Sequence, residues 1–190
     1  MSRKIKGAFS AFNGLCKSIS LKVLRGSRSS IIFPFLVSPS SEIILDRGGV
    51  LSIGKYSAIL SYCRIIVRSK GTMKIGTHFY MNTGCIINAH ESVTIGNNVE
   101  FGPGVYVFDH DHDFRASEGL RAKKYKTSPI VIGDNVWIGA NTVILRGTVI
   151  GNNSVIGAGS VVNGIIPPDT VFVQQRETRL LQYSKYDDKD

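Results

Sequence analysis

Cysteine is scarce in this chain, with three in 190 residues, at Cys16, Cys63 and Cys85. They stand far apart and without metal-ligand spacing, so reduced, structural cysteines in a cytosolic chain are expected. Long apolar runs are missing too. The run from Ile31 to Val37 contains Pro34 and is too short to cross a bilayer. The apolar stretch behind the basic start is broken by Ser10, Asn13, Gly14 and Lys17, which argues against a secretory signal. Negative charge is lacking at the start: Arg3, Lys4, Lys6, Lys17, Lys22, Arg25 and Arg28 all precede the first acid, Glu42. Most of the net charge of +9 is concentrated there. No recognition-helix motif, zinc finger or base-stacking signature accompanies it, so nucleic acid is not the expected partner, and an anionic membrane surface suits the charge better.

What is present is a period of six. Ile132, Ile138, Ile144, Ile150, Ile156 and Val162 follow one another at that interval, and the first five are trailed by Gly133, Gly139, Leu145, Gly151 and Gly157. Neither an α-helix nor an alternating strand has that period. One inward aliphatic side chain every six residues closes a triangular coil of three short strands per turn. The expected fold class is therefore all-β, a left-handed parallel β-helix. Gly133-Asp134-Asn135 and Gly151-Asn152-Asn153 supply corners, where positive φ costs glycine nothing and asparagine little. The pattern is looser earlier, at Ile53-Gly54, Ile75-Gly76 and Ile95-Gly96-Asn97, where the longer intervals suggest small bulges in a stack that tolerates them.

One domain suits 190 residues with 43% apolar content. Residues 1–41 are expected to form a basic amphipathic helical segment and a connector, 42–166 the coil, and 167–190 a cap and tail after Pro167-Pro168. In the first segment Ile5, Phe9, Phe12, Cys16, Ile19 and Val23 recur at spacings of four and three, which puts them on one helical face, with a possible break at Gly14. That face either packs on its own coil or a neighbouring subunit, or lies on a cytoplasmic membrane leaflet. The coil's pattern lapses over 108–129, and a loop thrown out of a regular solenoid is where function is expected.

That loop opens with Asp109-His110-Asp111-His112-Asp113. An imidazole near its ordinary pKa can take a proton at neutral pH, with a neighbouring carboxylate or carbonyl fixing its tautomer, as acyl transfer requires. A pair of solvated loop histidines is the plainer alternative. A metal site is a third, with His78, His90, His110 and His112 spread over successive rungs, although His110 and His112 have only Asp111 between them.

Three strings, Pro103-Gly104-Val105 with Asp109 to His112, Ile132 to Ala140, and Val155 to Val162, resemble the hexapeptide-repeat O-acetyltransferases of the sugar, galactoside, maltose and capsular-polysaccharide group. The resemblance covers about 75 to 179. It implies a homotrimer that uses acetyl-coenzyme A, without a metal, in active sites between adjacent coils. Aligned without gaps from Pro103-Gly104-Val105, the family's catalytic histidine falls on His112, with His110 as the fallback. Asn82 matches an asparagine that holds the acceptor sugar, Trp137 a tryptophan at the acceptor mouth, and Asp109 and Asp111 flank the histidines at that acceptor. A corner asparagine and a large aromatic packed outside a rung would explain Asn82 and Trp137 as well.

Ala140 and Ala158 match small residues beside the thioester arm. Two departures concern the coenzyme: Asn163-Gly164 stands where relatives commonly have Thr-Lys, and Gln175 to Arg179 stands where they have Gly-Asn-Pro-Ala-Arg. Only Arg179 survives of that string, so the nucleotide end is expected to be held differently, by Arg176 or by loop lysines, near Asn163 and Gly164. The function implied is O-acetylation of a hydroxyl on a sugar or polysaccharide precursor in the cytoplasm, with possible peripheral contact at the inner membrane face. Rivals are N-acetylation of a nucleotide-linked amino sugar, an antibiotic acetyltransferase, a carbonic-anhydrase-like metalloenzyme and a non-catalytic scaffold.

Overall fold

The structure, a computed structural model, describes residues 3–175, and their side chains from Ala8 onward. One helix, α1 (Arg3–Arg25), leads into a left-handed parallel β-helix. Its three faces hold seven, seven and six parallel strands. Coil residues stack in register. On the first face Ile31, Ile53, Ile75, Ile95, Ile132, Ile150 and Ile166 pair in succession. The second face runs Val37, Ile59, Met81, Phe101, Ile138, Ile156 and Phe172. The third runs Ile43, Ile65, Ile87, Val107, Ile144 and Val162. These ladders form one continuous buried core, because like aliphatic side chains stacked rung upon rung leave few voids.

Polar ladders hold the corners between the first and second faces. Asn98, Asn135, Asn153 and Asp169 all take positive φ of 54° to 57°. Their side chains hand hydrogen bonds down the stack: Asn98 Nδ2 to Asn135 Oδ1 (3.1 Å), Asn135 Nδ2 to Asn153 Oδ1 (3.0 Å) and Asn153 Nδ2 to Asp169 Oδ1 (2.9 Å). Asparagine tolerates the left-handed conformation and offers both a donor and an acceptor to the next rung.

Three expectations need adjusting. The coil begins before residue 42: Ser29–Ile31 and Phe35–Val37 pair with Val50–Ile53 and Ser57–Ile59, so the expected connector is the first rung. It also runs past 166, to Val171–Phe172. The long early intervals are not bulges within strands. Strands there have four residues, as in Arg64–Val67 and Thr72–Ile75, against two in Val149–Ile150, and the corner between third and first faces is widened by turns such as Arg68 to Gly71.

Helix α1 is continuous through Gly14. A Cβ on Gly14 would run into the Phe35 carbonyl, so this glycine permits close approach to the first rung and does not break the helix. The helix docks by polar groups: Asn13 Nδ2 donates to Val37 O (3.0 Å), Lys17 Nζ to Ser41 O (2.7 Å) and Arg25 Nε to Leu45 O (2.9 Å). The expected apolar face turns outward, with Phe9, Phe12, Ile19 and Val23 exposed. Ile5 belongs to the first turn, whose side chains lie outside the described set.

Candidate active site

Successive turns at the corner between third and first faces make one column: Asp46 to Gly49, Arg68 to Gly71, His90 with Glu91, then the extruded segment, then Arg146 with Gly147. The extruded segment is an ordered hairpin. His110–His112 pairs antiparallel with Tyr125–Thr127, setting His110 opposite Thr127 and His112 opposite Tyr125. A short 3-10 turn, Gly119–Ala122, lies near its tip. Paired strands give this loop a defined shape outside the solenoid.

Asp109 anchors the hairpin. It is 0% exposed, and its carboxylate accepts the backbone N–H groups of His90 (2.8 Å), Glu91 (2.8 Å) and Ser92 (2.9 Å) from the preceding rung. It also meets His110 Nδ1 at 3.2 Å. Burial alone would raise this carboxyl's pKa, but the hydrogen bonds from His110 and from the backbone of His90 and Glu91 outweigh it and hold the group below its ordinary value of 3.8. The ionised Asp109 favours the His110 tautomer with hydrogen on Nδ1, leaving Nε2 as the basic nitrogen.

The rings around Asp109 stack. His90 and His110 lie 3.7 Å apart between centroids, nearly parallel, and Tyr125 sits 4.4 Å from His90 and 4.8 Å from His112. Burial, then the neighbouring His110, pushes the pKa of His90 below its ordinary value. His110 is 10% exposed, whereas His112 stands exposed on the hairpin. Asp111 and Asp113 are paired, with Arg146 and with Lys126. Beside the rings, Asp46, Arg68, Ser69, Lys70, His90 and Tyr125 line a cavity of about 390 Å³.

Other expected site residues fall elsewhere on this chain. Asn82 is at the corner between second and third faces, where its Oδ1 accepts the Thr83 N–H (2.8 Å). Ala140 and Ala158 stack at that same corner: a Cβ on Gly102 would strike Ala140 N, one on Gly139 would strike Ala158 N, and Gly159 N–H donates to Ala140 O (2.7 Å). Trp137 projects from the second face, 55% exposed. Asn163 and Gly164 turn the histidine corner one rung below Arg146. Arg176 and Arg179 lie outside the described residues. Histidines and small-residue column are thus separated by the width of the third face.

His78 is on yet another corner, stacked on Tyr56 at 5.0 Å, and among the described residues no group of three or more His, Cys, Asp or Glu could hold a metal ion. His90 lies on the rung before the histidine pair, as its place in the sequence suggested, whereas Arg68 was not legible as a neighbour. Turn-over-turn stacking of the corner brings Arg68 there, and hairpin pairing sets Tyr125 opposite His112.

Residues 129–164 match the bacterial transferase hexapeptide family of six repeats. Nodulation protein L of Rhizobium meliloti is 42% identical over 72 residues, a stretch that is 38% of this chain and 39% of that protein. The galactoside O-acetyltransferase of Escherichia coli is 33% identical over 175 residues, covering 90% of this chain and 83% of the relative. This chain belongs to the hexapeptide-repeat acetyltransferase family. Among solved structures, AntD, an N-acyltransferase from Bacillus cereus in complex with dTDP and 3-hydroxybutyryl-CoA, shares the fold with a TM-score of 0.65 at 20% identity, over 76% of this chain and 78% of that one. Within the hexapeptide-repeat family, the six repeats of 129–164 are the rungs that carry Trp137, Ala140 and Ala158.

Proposed function

We propose that the chain is an acetyl-coenzyme A-dependent O-acetyltransferase acting on a hydroxyl of a sugar or polysaccharide precursor, with His112 as general base in a cleft between copies of a homotrimer. The observation that carries this reading is the ordered hairpin, which sets the exposed imidazole of His112 4.8 Å from Tyr125, a ring that lines a cavity of about 390 Å³. His112 takes the proton from the acceptor hydroxyl as the oxygen attacks the thioester carbonyl. A backbone N–H near Ala140 stabilises the oxyanion, the coenzyme thiolate leaves, and no acyl-enzyme forms.

Asp109, with its carboxylate buried against backbone N–H groups, is a positioning residue for the hairpin and for His110. Asp111 serves through Arg146, closing the hairpin onto the next rung. Trp137 and Asn82 meet the acceptor, and Arg68 and Lys70 favour one that carries an anionic group.

The two separated columns support the homotrimer. A base at one corner and a thioester channel at another act together only when a second copy brings its corner alongside, and threefold symmetry then yields three equal sites. Coenzyme A lies along Ala140 and Ala158 of that copy, with Asn163, Gly164, Arg176 and Arg179 toward its nucleotide end. Similarity to a galactoside O-acetyltransferase over most of the chain favours oxygen as the acceptor atom, while the likeness to an N-acyltransferase is one of fold. The reaction belongs in the cytoplasm, where acetyl-coenzyme A is made, with no metal among its participants.

A second reading makes His110 the base, favoured by its contact with Asp109 in the manner of an oriented catalytic histidine. Against it, His90 stacks on the ring of His110, little of the side chain is exposed, and one nitrogen is committed to Asp109. Acetyl transfer by the two alanine variants separates the readings: His112→Ala should lose on the order of 10² to 10⁴ in rate, and His110→Ala much less. The reverse order would transfer the role to His110, and little loss from either would overturn the acetyltransferase mechanism.

A further inference from the structure

Helix α1 is mounted with a largely polar side against the coil, where Leu21 is its apolar contact with the core. Besides the bonds from Asn13, Lys17 and Arg25, Ser18 Oγ meets Ile31 O at 3.4 Å, and Gly14 is the buried centre of the contact. Facing away are Phe9, Phe12, Ile19 and Val23, with Phe12 64% and Val23 78% exposed, joined by exposed Leu15. A helix folded only to cap its own coil would bury these side chains, because each large apolar group left in water forgoes the main driving force of folding. The exposed apolar face needs an occupant.

Charge selects that occupant. Seven cations and no acid lie in the first 28 residues, and Lys22 and Arg28 are exposed beside the apolar face. A second copy laid on this face would set like charge against like charge, whereas an anionic surface offers both an apolar interior and countercharge. No helix among the described residues is long and apolar enough to cross a membrane. We infer that α1 lies flat on an anionic lipid surface, with Phe9, Phe12, Ile19 and Val23 in the acyl boundary and the exposed Lys22 and Arg28 among the headgroups, holding the solenoid at the membrane. Ile32 and Phe33, exposed at a corner of the first rung, extend apolar surface next to the same element.

The test uses the full chain, with phosphatidylglycerol-rich vesicles and vesicles of phosphatidylcholine alone, in co-sedimentation at low and high salt. Binding to the anionic vesicles should be at least about tenfold stronger, and should weaken about tenfold or more in high salt as the headgroup charge is screened. Phe12→Glu with Ile19→Glu, and separately Lys22→Glu with Arg28→Glu, should each abolish most of the binding while circular dichroism, melting temperature and light-scattering mass stay unchanged, since all four side chains are exposed. Absence of binding by the parent chain, or equal binding by the variants, overturns the inference. So does a change of oligomer mass in Phe12→Glu/Ile19→Glu with vesicle binding intact, which would assign the face to contact between copies. None of these readouts depends on acetyl transfer, so this inference and the proposed catalysis fail separately.

Discussion

At the scale of single residues, Asp109 does the most with the least exposure. Three backbone N–H groups and one imidazole converge on its carboxylate, so replacing it by asparagine puts an amide N–H against donors and leaves at least one unsatisfied. Asp109→Asn should cost about 2 to 4 kcal/mol in chemical denaturation. Its pH dependence has a definite sign. The folded pKa lies below 3.8, so the carboxylate's contribution is complete above that value and is lost as pH falls through the folded pKa. The stability of the parent chain should therefore fall more steeply than that of Asp109→Asn as pH drops below about 4; parallel curves would mean that Asp109 is not the ionised anchor described.

Among the elements, α1 contains the sharpest conflict between local and tertiary preference. Glycine in mid-helix is about 1 kcal/mol worse than alanine, so on propensity alone Gly14→Ala should stabilise. The Phe35 carbonyl occupies the space a Cβ needs, and it is backbone within a rung that cannot yield easily. Gly14→Ala should instead lower the melting temperature, or free the helix to protease at unchanged melting of the coil. A rise in melting temperature with the helix still protected would show the docking to be looser than drawn. The hairpin is the opposite case. Its strands are short and exposed, and their shape is set by Asp109 and by the pairs Asp111–Arg146 and Asp113–Lys126.

The whole molecule is a stack in which the proposed base and the proposed thioester channel stand on different corners. Mixing two variant chains tests that arrangement. His112→Ala lacks the proposed base but keeps the small-residue channel, while Ala158→Trp keeps His112 and fills the channel. Refolded together, they should form mixed trimers in which some clefts pair an intact His112 with an intact Ala158, restoring a substantial fraction of parent activity. Each variant refolded alone should stay inactive. No recovery from the mixture, with trimers verified by light scattering, would place both groups of one site on a single chain.

Periodicity alone determined the solenoid, because a side chain that must face inward every six residues admits one closed coil, and the Asn and Gly at fixed offsets can bear the positive φ its corners demand. The histidine pair was legible for a related reason: a break in so regular a pattern marks what the repeat does not need. Most residues that surround the pair were not. Arg68 comes from an earlier turn of the coil, and Asp111 and Arg146 stand 35 positions apart; rung-on-rung register brings them to one corner, and hairpin pairing sets Tyr125 opposite His112. Register likewise made residues 29–37 a rung, though Pro34 and the serines read as a connector. The face on which α1 docks was undetermined by its amphipathic pattern, since hydrophobicity predicts that an apolar face seeks cover but not from what. The coil's first rung offers carbonyls at Ile31, Val37, Ser41 and Leu45, and those acceptors at the end of the stack drew in the polar side of the helix and left the apolar side facing out.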